Sequence, residues 1–230
     1  MISMKQLRKE ILEIMPPSFI KKWGAIHPYF VPIYGDIVYG KRLKICMRLI
    51  EKYASNPKSI IDIGCGFGLF VRLLKYRYPT SNIVGLDLRD YTHLTYARKI
   101  SKNKCTFIQG DVEQLPIKSN KFDVIIITDV LEHVSNTTRS LKELRRILTK
   151  NGLLLILVPT ESILLKLGRS ISYHKLDSDY HWTHDIKNIK QFENELKHHF
   201  KIIKKVQVPF KIGGPLLNYD TLFVCRGQLY

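Results

Sequence analysis

Three glycines at alternate positions, Gly64-Cys65-Gly66-Phe67-Gly68, close the short apolar run Ile60-Ile61-Asp62-Ile63. Glycine reaches backbone angles that a Cβ forbids and lets main-chain atoms approach a ligand closely. The helical pattern that follows, Leu69, Phe70, Leu73 and Leu74, makes this a buried strand turning sharply into a helix. The first turn of such a helix offers free N–H groups and a partial positive charge, suited to a nucleotide-like cofactor carrying an anionic group. The spacing is not the G-x-G-x-x-G of dinucleotide binders, whose third glycine would fall at Leu69. A glycine turn alone has little specificity, so the elements around it decide.

Those elements alternate. Leu7, Ile11, Ile14 and Met15 predict a short amphipathic helix stopped by Pro16-Pro17. Tyr39, Leu43, Met47, Ile50 and Ala54, with lysines and arginines between them, predict a second over residues 36–54. Strands are expected at Ser59–Ile63, Ile83–Leu88, Thr106–Gln109, Phe122–Thr128 and Leu153–Val158, with helices between them. Ser135 or Asn136 caps the helix whose core face is Leu141, Leu144, Ile147 and Leu148, expected to end at Asn151-Gly152. Alternation of this kind builds a parallel sheet with right-handed crossovers. A helix from Asp185 then leads into strands at Ile202–Val208 and Thr221–Arg226. The connection between those two is too short and too irregular for a crossover helix, so they form an antiparallel hairpin. The aromatic, proline-broken stretch Trp23 to Tyr34 reads as a lid over a pocket, as a loop packed on the core, or as a membrane-surface segment beside Lys21 and Lys22.

Composition narrows the class. In 230 residues, 45% apolar and 25% charged, there is room for one sizeable core and no apolar run that would span a bilayer. The four cysteines have neither paired nor metal-type spacing, and no signal-peptide core precedes them, so a reducing, cytoplasmic setting is expected. A net charge of +17 suits phosphates, nucleic acid or an anionic membrane, which would put the protein at the membrane periphery; solvated lysine faces account for it equally well. The sequence points to no obligate protein partner.

Four motifs in order carry a specific resemblance: Asp62-Ile63-Gly64-Cys65-Gly66-Phe67-Gly68, then Gly85-Leu86-Asp87, then Gly110-Asp111-Val112, then Phe122-Asp123-Val124 running into Asp129-Val130-Leu131-Glu132-His133-Val134. The series resembles the class I S-adenosylmethionine-dependent methyltransferases, closest to the small-molecule group that includes quinone-biosynthesis enzymes. It covers about residues 58–160, and the terminal hairpin suits the same fold. The resemblance implies an α/β, Rossmann-like, seven-stranded, mostly parallel sheet with helices on both faces. It also implies one domain over residues 1–230: a helical and aromatic lid (1–40), a cofactor-binding half (41–160) and a substrate-side half with the hairpin (161–230).

S-adenosylmethionine is the implied cofactor. On this reading Asp62, Gly64, Cys65, Gly66 and Gly68 wrap its methionine part, and Asp87, with Leu88 next to it, holds the ribose hydroxyls. Asp111 takes the exocyclic amine of adenine, the Val112 N–H meets the ring, and Thr128 and Asp129 lie beside the methyl group. Plainer readings exist: Asp87 as a turn former, Asp111 as an ordinary loop aspartate, Cys65 chosen for small size.

Methyl transfer is an in-line displacement at an activated sulfonium, so the protein mainly aligns and encloses. A base is needed only where the acceptor must lose a proton. His133 and His181 are the candidates, against a helix-start histidine satisfied by backbone and a surface-loop histidine respectively. Asp129-x-x-Glu132-His133 also resembles the Glu-x-x-Glu-His metal site of some O-methyltransferases, which His181 or His184 would complete. Its first position is Asp, and Leu-Glu-His-Val is common in metal-free members, so a metal-free site is expected. Strand four ends in neither Asn/Asp-Pro-Pro-Tyr nor Pro-Cys, which leaves oxygen or carbon acceptors. The apolar Ile163–Gly168 and the aromatic stretch favour a small-molecule or lipid-like, quinone-type acceptor, with structured RNA second. An NAD-dependent oxidoreductase and a non-catalytic binding module of the same fold are the competing classes.

Overall fold

A computed structural model describes residues 4–15, 39–89, 91–159, 188–208 and 220–227. Helices α1 (Met4–Ile14) and α2 (Gly40–Tyr53) precede β1 (Ser59–Ile63). Then come α3 (Leu69–Arg77), β2 (Asn82–Asp87), α4 (Tyr91–Ile100), β3 (Thr106–Gln109) and β4 (Phe122–Thr128). A 3-10 turn (Leu131–His133), α5 (Thr137–Ile147), β5 (Leu148–Pro159), α6 (Ile189–His199), β6 (Phe200–Val208) and β7 (Asp220–Gly227) follow. The aromatic part of the expected lid (Trp23 to Tyr34), Ile163–Gly168, His181 and His184 lie outside the described residues.

Seven strands form one sheet in the order β3-β2-β1-β4-β5-β7-β6. The first five are parallel, while β7 runs antiparallel between β5 and β6. Alternation along the strands divides the core in two. Ile60, Ile83, Val124, Ile126 and Leu155 pack under helices α1 to α4, and Ile61, Ile63, Ile125, Ile127 and Leu154 under α5 and α6. The helix after β2 therefore covers one face and the helix after β4 the other. The reversal falls between β1 and β4, whose carboxyl ends open the crevice where such sheets bind ligands.

Asn136 caps α5 by accepting from the Arg139 N–H at 2.9 Å, and Asn188 does the same for α6. Several boundaries depart from expectation, that between α5 and β5 most of all. Helix α5 stops at Ile147, and Leu148 is already in β5, paired with Phe122. The next rung joins Val124 to Leu153, so residues 149–152 form a bulge within β5. Asn151-Gly152 marks that bulge rather than a helix end. Leu148 reaches back over Gly152, where a Cβ would lie 2.5 Å from its Cδ1. Strand β2 also runs one residue earlier than expected, which releases Leu88 from the sheet.

Candidate active site

The glycine turn sits at the carboxyl end of β1, and its conformation shows why glycines stand there. Gly64, Gly66 and Gly68 have φ of +74°, +51° and +70°. A Cβ at Gly64 would lie 2.1 Å from Val130 Cγ2, beyond the end of β4. The turn is fastened to β2 because the Gly64 and Cys65 N–H groups donate to the Leu86 carbonyl at 2.7 and 3.0 Å. Asp87, at the end of β2, completes the attachment. Its Oδ2 accepts from the Gly66 N–H at 2.7 Å and its Oδ1 from the Arg89 N–H at 3.0 Å. An ionised carboxylate has about four lone-pair sites, so capacity for a ligand's hydroxyls is left.

Asp62 is 3% exposed on β1. Burial, and after it the charge of Asp87, pushes its carboxyl up to about 8. Burial also lifts the Cys65 thiol well above the usual range, which leaves it unreactive. Leu88 follows Asp87 with 68% of its surface exposed, an apolar face at the sheet's edge. Val112 is buried, whereas Asp111 is exposed and spends Oδ1 on the Glu113 N–H at 2.8 Å. Their segment is tied down where Glu113 Oε1 accepts from the Ser135 and Asn136 N–H groups at 2.7 and 3.1 Å.

Beyond β4, Thr128 is half-buried and Asp129 takes φ +54°. His133 ends the 3-10 turn, half-buried, with its N–H donating to the Val130 carbonyl at 2.9 Å. Asp123, inside the fourth motif, belongs to the opposite end of the sheet. It accepts from the Lys58 and Ser59 N–H groups at 2.8 and 3.1 Å and so fixes where β1 begins.

Two residues at this edge had no signal in the sequence. Arg42, on α2, forms a two-pronged pair with Asp129 at 2.9 and 3.0 Å and reaches Asp220, the first residue of β7, through Nε at 2.8 Å. Its partners lie 87 and 178 positions away, and periodicity alone made it one of several cations on an amphipathic helix. Burial outweighs the guanidinium at Asp220 and pushes its carboxyl up to about 7. Glu132 is raised well above the ordinary range, by burial first and by Asp129 next. Asp129 gives both oxygens to Arg42, and among the described residues no group of three His, Cys, Asp or Glu side chains is arranged to hold a metal ion.

Residues 61–156 match the family described as methyltransferase domain. An uncharacterised protein of Methanocaldococcus jannaschii is 32% identical over 176 residues, which is 74% of this chain and 69% of that protein. A demethylmenaquinone methyltransferase of Thermotoga maritima is 35% identical over 52% of each chain. A malonyl-[acyl-carrier protein] O-methyltransferase of Legionella pneumophila is 33% identical over 43% of this chain and 35% of its own. The matched part thus spans about half, or less, of the relatives named as methyltransferases. Among solved structures, a Pyrococcus horikoshii protein superposes with a TM-score of 0.64 at 22% identity, covering 83% of this chain and 91% of that one. An S-adenosylmethionine-dependent methyltransferase of T. maritima gives 0.63 at 23% identity over 90% of this chain and all of that one, a likeness of fold.

Proposed function

The chain belongs to the class I S-adenosylmethionine-dependent methyltransferases, and on that premise we propose that it methylates an oxygen or carbon of a small, lipid-like acceptor of quinone type. The observation that supports this most is the meeting of Asp62, the Gly64–Gly68 turn, Asp87 and Thr128 at the sheet's reversal point. The residues present suit S-adenosylmethionine. Gly64, Gly66 and Gly68 let the turn take its left-handed backbone, Asp87 has acceptor capacity for ribose hydroxyls, and Leu88 offers an apolar face to a base. Asp62 answers the cofactor's ammonium, and Asp111 with the Val112 N–H answers adenine.

When bound, the cofactor supplies a methyl group on a sulfonium already activated for displacement. The chain's contribution is orientation and exclusion of water. The glycine turn and Asp87 fix the nucleoside, while Thr128 and Asp129 border the reacting end. His133 is the group proposed to accept a proton from an oxygen acceptor, with His181 second. The acceptor class rests on the T. maritima demethylmenaquinone enzyme, a methyltransferase of a quinone, and on the apolar stretch Ile163–Gly168. The net charge of +17 supports work in the cytoplasm at an anionic membrane surface, and it keeps an RNA-modifying version as the second reading.

Calorimetry with S-adenosylhomocysteine and with NAD tests the cofactor assignment. Binding of the first and not the second is expected, and Asp87→Ala should weaken it about tenfold or more, since a charged hydrogen-bonding group is removed. Unchanged affinity in a folded Asp87→Ala protein would refute the role given to Asp87. A labelled-methyl assay on total lipid and total RNA extracts separates the two acceptor readings.

A further inference from the structure

At the edge where β4 and β7 meet α2, three carboxyls gather around the guanidinium of Arg42. Asp129 and Asp220 are served by it: Nη1 and Nη2 hold Asp129 at 2.9 and 3.0 Å, and Nε holds Asp220 at 2.8 Å. Glu132, three residues past Asp129, is not. It is 5% exposed, and its Oε2 is buried with no hydrogen-bond partner among the described residues. Asp129, Arg42 and Asp220 all act electrostatically on its carboxyl, which places it in the same cluster. A buried polar atom left without a partner is costly, and a group arriving with the acceptor would relieve it.

The chemistry of that oxygen restricts the group. A carboxyl oxygen donates when it carries the proton and accepts when it does not, so Oε2 needs an acceptor in one form and a donor in the other. A hydroxyl serves both forms. A carboxylate serves only one, and it would bring further negative charge beside Asp129 and Asp220, where the single guanidinium is already shared. We propose that Glu132 Oε2 is the contact for a hydroxyl on the methyl acceptor, so that the site takes phenol-like acceptors and turns away those whose reacting end is a carboxylate. This rests on the methyltransferase reading of the same edge and narrows its substrate class.

The test uses three probes on one ring, 2-naphthol, 2-naphthylmethylamine and 2-naphthoate, titrated into the full chain saturated with S-adenosylhomocysteine. The naphthol should bind about tenfold tighter than the naphthoate. Glu132→Gln, a neutral isostere with a donor and an acceptor, should keep that preference. Glu132→Leu should erase it, with the melting temperature and S-adenosylhomocysteine affinity reporting that the fold is intact. Tighter binding of the naphthoate or of the amine, no binding of the naphthol, or a Glu132→Leu protein with the preference intact each overturns the proposal. Where Glu132→Leu does not fold, the wild-type ranking and Glu132→Gln decide. Failure of wild type to bind S-adenosylhomocysteine would instead overturn the methyltransferase reading itself.

Discussion

Asp62 and Asp87 share the base of the glycine turn but differ in what they are given there. Asp87 receives two main-chain N–H groups, from Gly66 and Arg89. Asp62 is set into β1 with its carboxyl pushed up to about 8. Its unfolded value is near 4, so the ligand-free folded chain holds one extra proton over roughly pH 4 to 8 and loses stability as pH rises through that window. Asp220, pushed up to about 7, acts in the same sense. Asp62→Asn should therefore flatten the fall of melting temperature between about pH 5 and pH 8; an unaltered slope would show that Asp62 does not titrate there. If the cofactor's ammonium pairs with ionised Asp62, S-adenosylhomocysteine binding at neutral pH releases a proton. Calorimetry in buffers of different ionisation enthalpy should detect that release in wild type and find it missing in Asp62→Asn.

Between elements, the junction of β1 with β4 depends on an absent side chain. Gly64→Ala would drive a Cβ to 2.1 Å from Val130 Cγ2 at φ +74°, so clash and left-handed strain add. A loss of about 2–4 kcal/mol in urea unfolding is expected, and pairing it with Val130→Ala should recover the clash but not the strain. Arg42 joins α2, β4 and β7, and Arg42→Met leaves Asp129 and Asp220 facing one another without a cation. The cost should be about 3 kcal/mol, held down because Asp129 is partly exposed and Asp220 protonates readily. Asp220→Asn in that background should return part of it by the same measurement. The turn and the strand centres were readable beforehand because their cause is local: apolar runs, glycines and a capping Asn136 declare themselves within a few positions. The Arg42 cluster was not, because three far-apart segments meet only after the sheet has formed. Leu148 misled for a related reason, since its place on the apolar stripe of α5 fits a helix until Phe122 claims it as a strand partner.

Across the whole molecule the charge of +17 is spread over many lysines, and α2 carries a share of it on its outer side at Lys41, Lys44, Arg48 and Lys52. If an anionic membrane is the working surface, co-sedimentation with phosphatidylserine-containing vesicles should be strong at low salt and largely lost by about 0.3 M, where the screening length falls well below 10 Å. Retention on RNA without retention on vesicles would move the proposal to the second acceptor class. No described helix is long and apolar enough to cross a bilayer. The placing of β7 has a consequence for biosynthesis. It is translated after both strands it separates, yet it fills the gap between them and is buried over most of its length. Until residue 227 leaves the ribosome, the outer rim of β5 has no neighbour and β6 has nothing to join. A nascent chain halted before that point presents a bare apolar strand rim, the form of this protein on which chaperones would act.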